Sequence, residues 1–143
     1  PNVFINLFPT SFVRLVMFER HWCPICFRLR QMLLPLALKR GLDMRRVDVE
    51  AERGSSLMGR YRFFASQAFG GEEEVPVLLL GEERWFVPRR RTAGGGRRGE
   101  YTREEIDDAC RRVVREVEEA LDEEEAVYPP SHRQMALRAL AFR

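Results

Sequence analysis

Lysine is almost missing from this chain. Lys39 stands alone among 24 basic residues, and all the others are arginine. That skew by itself points to no function. Cysteine is scarce: Cys23, Cys26 and Cys110 are an odd set with one close pair, which excludes the disulfide framework of a small secreted protein. Long apolar runs are lacking too. The longest, Met32 to Leu38 and Val75 to Leu80, fall far short of the ~20 residues of a spanning helix, so no membrane partner is expected. No basic-then-apolar leader opens the sequence, nothing signals export, and a cytoplasmic protein is expected. Excess charge is also absent. Basic residues number 24 and acidic ones 22, a net charge of +2, which counts against charge-driven disorder and against a nucleic-acid partner. What remains is 143 residues, 45% hydrophobic, enough for one ordinary domain with a buried core.

Hydrophobic period divides that domain. Residues 1–12 alternate Val3, Ile5 and Leu7 with Phe4, Asn6 and Phe8 and are broken by Pro9; an N-terminal edge strand and an ordered arm are equal readings. Residues 13–19 are apolar on both faces, as for a strand inside a covered sheet. Pro24 suits the first position of a helix, along which Ile25, Leu29, Met32, Leu33 and Leu36 recur; Pro35 should kink it and Gly41 should end it. Residues 44–50 read as a second strand. Ser55 or Ser56 caps a second helix, with Leu57, Tyr61, Phe64 and Ala68 as its buried face and Gly70-Gly71 as its stop. Residues 75–80 form a buried strand with proline second, and 84–87 return as a hairpin. A basic, glycine-rich loop follows over 88–99. Thr102 and Glu105 then form a capping box for a helix with Ile106, Cys110, Val113, Val117 and Leu121 on its stripe. The expected domain is 13–125. Residues 126–143 hold a linker at Tyr128-Pro129-Pro130 and an amphipathic C-terminal helix with Met135, Leu137, Leu140 and Phe142, suited to self-docking or to a homodimer. The fold class is α/β, a small mixed sheet with helices on both faces, its first two strands parallel through a helical crossover.

The chemistry is concentrated at Cys23-Pro24-Ile25-Cys26, where a buried strand meets a helix. A helix start offers unpaired N–H groups and the positive end of a dipole. Both favour a thiolate at Cys23. One turn on, Cys26 can reach it, so Cys23 reads as the attacking sulfur and Cys26 as the resolving one. A structural zinc would need a second ligand pair, for which only His21, Cys110 and His132 remain. Cys110 reads as a small buried hydrophobe, and His21 as an exposed loop residue. The arginines 89, 90, 91, 97 and 98 read as a solvated charge run. Proline within a buried strand is unusual, and Val75-Pro76 suits either a strand start or a cis bond.

Together these residues resemble the thioredoxin superfamily, and within it the glutaredoxins, over about 13–121. The matching features are CPIC after the first strand, an apolar-Pro-apolar strand leading into a hairpin, and a final helix. The resemblance implies a thioredoxin-like fold and a cis proline at Pro76 beside the dithiol, with Val75 offering its backbone to the substrate. It places Arg20 where glutaredoxins carry a basic residue that supports the thiolate or glutathione. Trp22, directly before Cys23, is a thioredoxin-like feature and reads as a docking wall. Two elements depart from the pattern. Gly94-Gly95-Gly96 comes late and is followed by Arg97-Arg98 instead of an acid, which counts against glutathione. Met17 stands about where thioredoxins bury an aspartate, so proton transfer from Cys26 needs another base or water.

The expected activity is thiol–disulfide exchange. Cys23 and Cys26 are catalytic, and Arg20, Trp22, Pro24, Val75 and Pro76 shape the substrate groove. The expected partners are disulfide-containing proteins or small thiols and an electron-donating reductase, and no organic cofactor or metal is required. The alternative is a redox-inactive binding module whose CxxC ligates zinc or an iron–sulfur cluster.

Overall fold

The structure is a computed structural model and describes residues 13–89 and 101–127. The N-terminal arm or edge strand (1–12), most of the arginine-rich loop and the linker and helix of 128–143 lie outside the described residues.

The elements follow in the order β1 (Arg14–Glu19), α1 (Pro24–Arg40), β2 (Asp43–Asp48), α2 (Ser56–Ala68), β3 (Val77–Leu80), β4 (Arg84–Phe86) and α3 (Arg103–Val127). The strands form one mixed sheet in the order β2-β1-β3-β4. β1 runs parallel to β2, with Phe18 opposite Val47, and antiparallel to β3, with Phe18 opposite Val77. β3 and β4 form the hairpin. This is an α/β architecture.

The central strands are apolar on both faces because both faces are covered. Side chains alternate along a strand, so Leu15 and Met17 of β1, with Leu78 and Leu80 of β3, pack under α1 and α3 through Leu29, Leu33, Val113 and Val117. Val16, Phe18, Val77 and Leu79 pack on the opposite face under Leu57, Met58, Tyr61 and Ala65 of α2. Burying each such leucine stabilises the fold by about 2 kcal/mol. The Phe18 and Tyr61 rings stack at 4.9 Å, and the Tyr61 hydroxyl, 2.6 Å from the Glu74 carbonyl, donates to it.

Local signals set most boundaries. Thr102 Oγ1 accepts from the N–H of Glu105, and Glu105 Oε1 accepts from the N–H of Thr102, the reciprocal capping box. Ser55 caps α2 through the N–H of Met58. Gly41 ends α1 in the left-handed region at φ 64°, and α1 runs continuously through Pro35.

Two strand ends and one buried position stand out among the differences from the pattern-based reading. β3 starts at Val77, because Pro76 has no N–H for the ladder. β2 stops at Asp48, whose carboxylate accepts from the N–H groups of Glu50 and Ala51 and turns the chain. Ala68 is exposed, and Ala65 takes the buried position; Ala68 lies in the last turn of α2 and borders an open cleft beside Trp85 and Phe86.

α1 and α3 lie side by side in the same direction. Arg28 pairs with Asp107 at 2.8 Å near their starts, and Arg40 with Asp122 at 2.9 Å near their ends. Among the described residues no helix is long and apolar enough to cross a membrane.

Candidate active site

β1 ends at Glu19, and four residues later α1 begins. Cys23 is the N-cap of α1, with extended backbone and its sulfur accepting from the Cys26 N–H at 3.2 Å. Pro24 occupies the first helical turn, exposed and with no N–H to leave unpaired. No acidic side chain lies in that turn to compete with Cys23 for the positive end of the helix dipole.

The two sulfurs are both free thiols, Cys23 half-buried and Cys26 2% exposed. They are chemically unequal. The Cys26 thiol hydrogen-bonds the Cys23 sulfur, and the N–H groups of Cys26 and Ile25 add to this against the opposing effect of burial; the Cys23 thiol is thereby lowered to about 6. That same hydrogen bond, followed by burial, drives Cys26 upward. At neutral pH the arrangement is an outer thiolate beside an inner thiol, the order a nucleophile and a resolving group need.

A cleft of about 360 Å³ opens at Cys23. Trp22 forms one wall, 98% exposed and held at φ 58°, a left-handed conformation that a non-glycine residue adopts only at some expense. Phe27, one turn into α1, stands 54% exposed on the same cleft. His21 is exposed, with Nε2 3.4 Å from the Asp48 carboxylate. The Arg20 guanidinium is directed to Glu73 and Glu50, at 3.5 and 3.6 Å.

Val75 and Pro76 lie at the same end of the sheet as the cysteine loop. Val77 pairs with Phe18, so Pro76 falls level with Glu19. The Val75–Pro76 bond is cis. Val75 packs against the same apolar cluster as Cys23, and neither Val75 nor Pro76 lines the cleft. Thus the structure gathers Arg20, Trp22, Pro24, Cys23 and Cys26 around one opening, while Val75-Pro76, expected to shape the groove, lies at the same end of the sheet but outside the lining.

Cys110 is fully buried on α3, as its place on the apolar stripe suggested. Its thiol is 3.9 Å from the Ile25 carbonyl, and burial pushes it up to about 11. Among the described residues no group of three His, Cys, Asp or Glu side chains comes together to hold a metal ion.

Sequence reasoning missed Glu19. This strand-end carboxylate is 7% exposed, lines the cleft and accepts from Arg46 Nε at 2.6 Å and from Arg30 Nη1 at 3.0 Å. Its negative charge opposes ionisation of both cysteines. The available signal was a charged residue closing a strand otherwise buried on both faces, which demands a partner. Phe27, an apolar residue off the buried stripe of α1, was the second missed signal.

Compared with known proteins, the chain matches no family model, no curated protein and no solved structure.

Proposed function

We propose that the chain is a thiol–disulfide oxidoreductase of thioredoxin-like fold, resembling the glutaredoxins in its CPIC sequence. The observation that carries the reading is the pairing of a partly exposed, readily ionised Cys23 at a helix start with a buried, protonated Cys26 one turn on. The β2-β1-β3-β4 sheet and the cis Val75–Pro76 bond at its cysteine end add support.

In this mechanism the Cys23 thiolate attacks one sulfur of a substrate disulfide. The substrate S–S bond breaks, its electron pair leaves on the departing thiolate, and a Cys23–substrate mixed disulfide forms. Cys26 then loses its proton to solvent or to the departing thiolate and attacks Cys23. The second substrate sulfur leaves, and the protein holds a Cys23–Cys26 disulfide. Two electrons have passed to the substrate with one proton from Cys26, the second proton coming from solvent, and an external dithiol or reductase restores the pair. Trp22 and Arg20 flank the incoming disulfide.

The test is disulfide reduction with dithiothreitol as the electron source. Cys23→Ser abolishes catalysis, and Cys26→Ser accumulates a covalent mixed disulfide visible by mass. Full activity in the Cys23→Ser protein would overturn the reading.

A further inference from the structure

The cleft beside Cys23 carries more guanidinium N–H donors than its internal pairing uses. Arg30 comes from α1 and Arg46 from β2, and both line the cleft. One buried carboxylate, Glu19, holds them: Arg46 through Nε at 2.6 Å and Arg30 through Nη1 at 3.0 Å. The Arg30 guanidinium also lies 5.5 Å from the centre of the Phe27 ring. Each guanidinium has five N–H donors in a fixed fork, and each spends one on Glu19. No other partner for Arg30 or Arg46 occurs among the described residues, apart from the Phe27 ring.

The remaining charges of the cleft are engaged. Asp48 accepts from the N–H groups of Glu50 and Ala51 and lies beside His21. Arg20 is turned to Glu50 and Glu73. Two guanidiniums share one carboxylate, Glu19, and each keeps N–H donors that the carboxylate does not use, on groups already held in place. Fixed donors lose little freedom when they bind, and a carboxylate is the planar acceptor that suits them.

We infer that Arg30 and Arg46 form a specificity site for a carboxylate carried close to the substrate's disulfide. The preferred substrate class is therefore an acidic disulfide, either a small carboxylated one or an acidic residue beside a cysteine in a polypeptide. This rests on the oxidoreductase reading and narrows it. Glu19 acts as a positioning residue that aligns the two arginines. The covalent step is unchanged: Cys23 attacks, the substrate S–S bond breaks, and dithiothreitol supplies the electrons for turnover.

The experiment compares three small disulfides on the wild-type protein: 3,3′-dithiodipropionate, neutral 2-hydroxyethyl disulfide and cationic cystamine. Each rate is divided by that disulfide's uncatalysed rate with dithiothreitol, which removes its intrinsic charge effect. The corrected kcat/KM should favour the dianion over the neutral probe by about ten-fold at low salt. The advantage should shrink as added salt screens the half-exposed Arg46. Arg46→Gln should lower the dianion rate more than the neutral one. A second arm uses a peptide disulfide with glutamate or glutamine beside each cysteine. A preference for carboxylate in both arms supports the site for either source, and a preference confined to the small probes supports it for small acidic disulfides. Equal corrected rates for all three small probes, or faster cystamine, would overturn the carboxylate site and leave the oxidoreductase standing. No reduction of any probe would overturn the oxidoreductase itself and the inference with it.

Discussion

The backbone N–H of Cys26 points at the sulfur of Cys23 across 3.2 Å, so the sulfur proposed as nucleophile is also the cap of α1. A cap of this kind accepts a hydrogen bond best when it is charged. The structural role and the chemical role of Cys23 therefore favour the same protonation state.

The first prediction concerns that state. Only the thiolate reacts with iodoacetamide, so alkylation of Cys23 should rise through a midpoint near pH 6 and be flat above it. The largest cause of the depression is the hydrogen bond from the Cys26 side chain. Cys26→Ala should therefore move the midpoint upward, toward the ordinary thiol value of about 8.5. An unchanged midpoint in Cys26→Ala would assign the depression to the helix end instead.

Glu19 and its two arginines should respond unequally to mutation. The carboxylate side chain is 9% exposed, whereas Arg30 and Arg46 are 30% and 54% exposed. Removing the acid leaves two cations that can turn to water, at about 1–2 kcal/mol. Removing both bases strands a buried anion, at about 3–5 kcal/mol. Urea unfolding of Glu19→Gln and of the Arg30→Met/Arg46→Met double variant checks the order.

Trp22 should show opposite effects on stability and activity. Its φ of 58° is strained for a tryptophan, and at 98% exposure its side chain contributes little packing. Asparagine tolerates the left-handed region better. Trp22→Asn should raise stability by about 0.5–1 kcal/mol while raising KM for a protein disulfide, because the docking wall is lost. Thermal melts and steady-state kinetics on the same samples separate the two effects.

The cap residues test the local reading of the fold. Gly41 sits at φ 64° and donates its N–H to the Ala37 carbonyl, so Gly41→Ala should destabilise by about 1 kcal/mol. Ser55→Ala, which removes the acceptor for the Met58 N–H, should cost about 1 kcal/mol. Both are read as shifts of the thermal midpoint with unchanged Cys23 reactivity.

Whatever depends on residues within a turn of one another could be read from the order of amino acids alone. The Thr102–Glu105 box, the Gly41 stop, Pro24 at the start of α1 and the Cys23–Cys26 spacing are of this kind, because one helical turn brings three or four neighbours together whatever surrounds them. The two-sided apolar β1 was legible for a similar reason, since strand alternation is a property of the backbone. How Glu19 is held follows from long-range packing instead. Its partners Arg30 and Arg46 stand 11 and 27 positions away, and they meet because β2 pairs in parallel beside β1 while α1 packs across the sheet. The exposure of Trp22 and the position of Val75-Pro76 at the cysteine end of the sheet were likewise settled by which strand ends lie together. No periodic pattern along the chain encodes such a meeting, because it is fixed by the packing of separate elements.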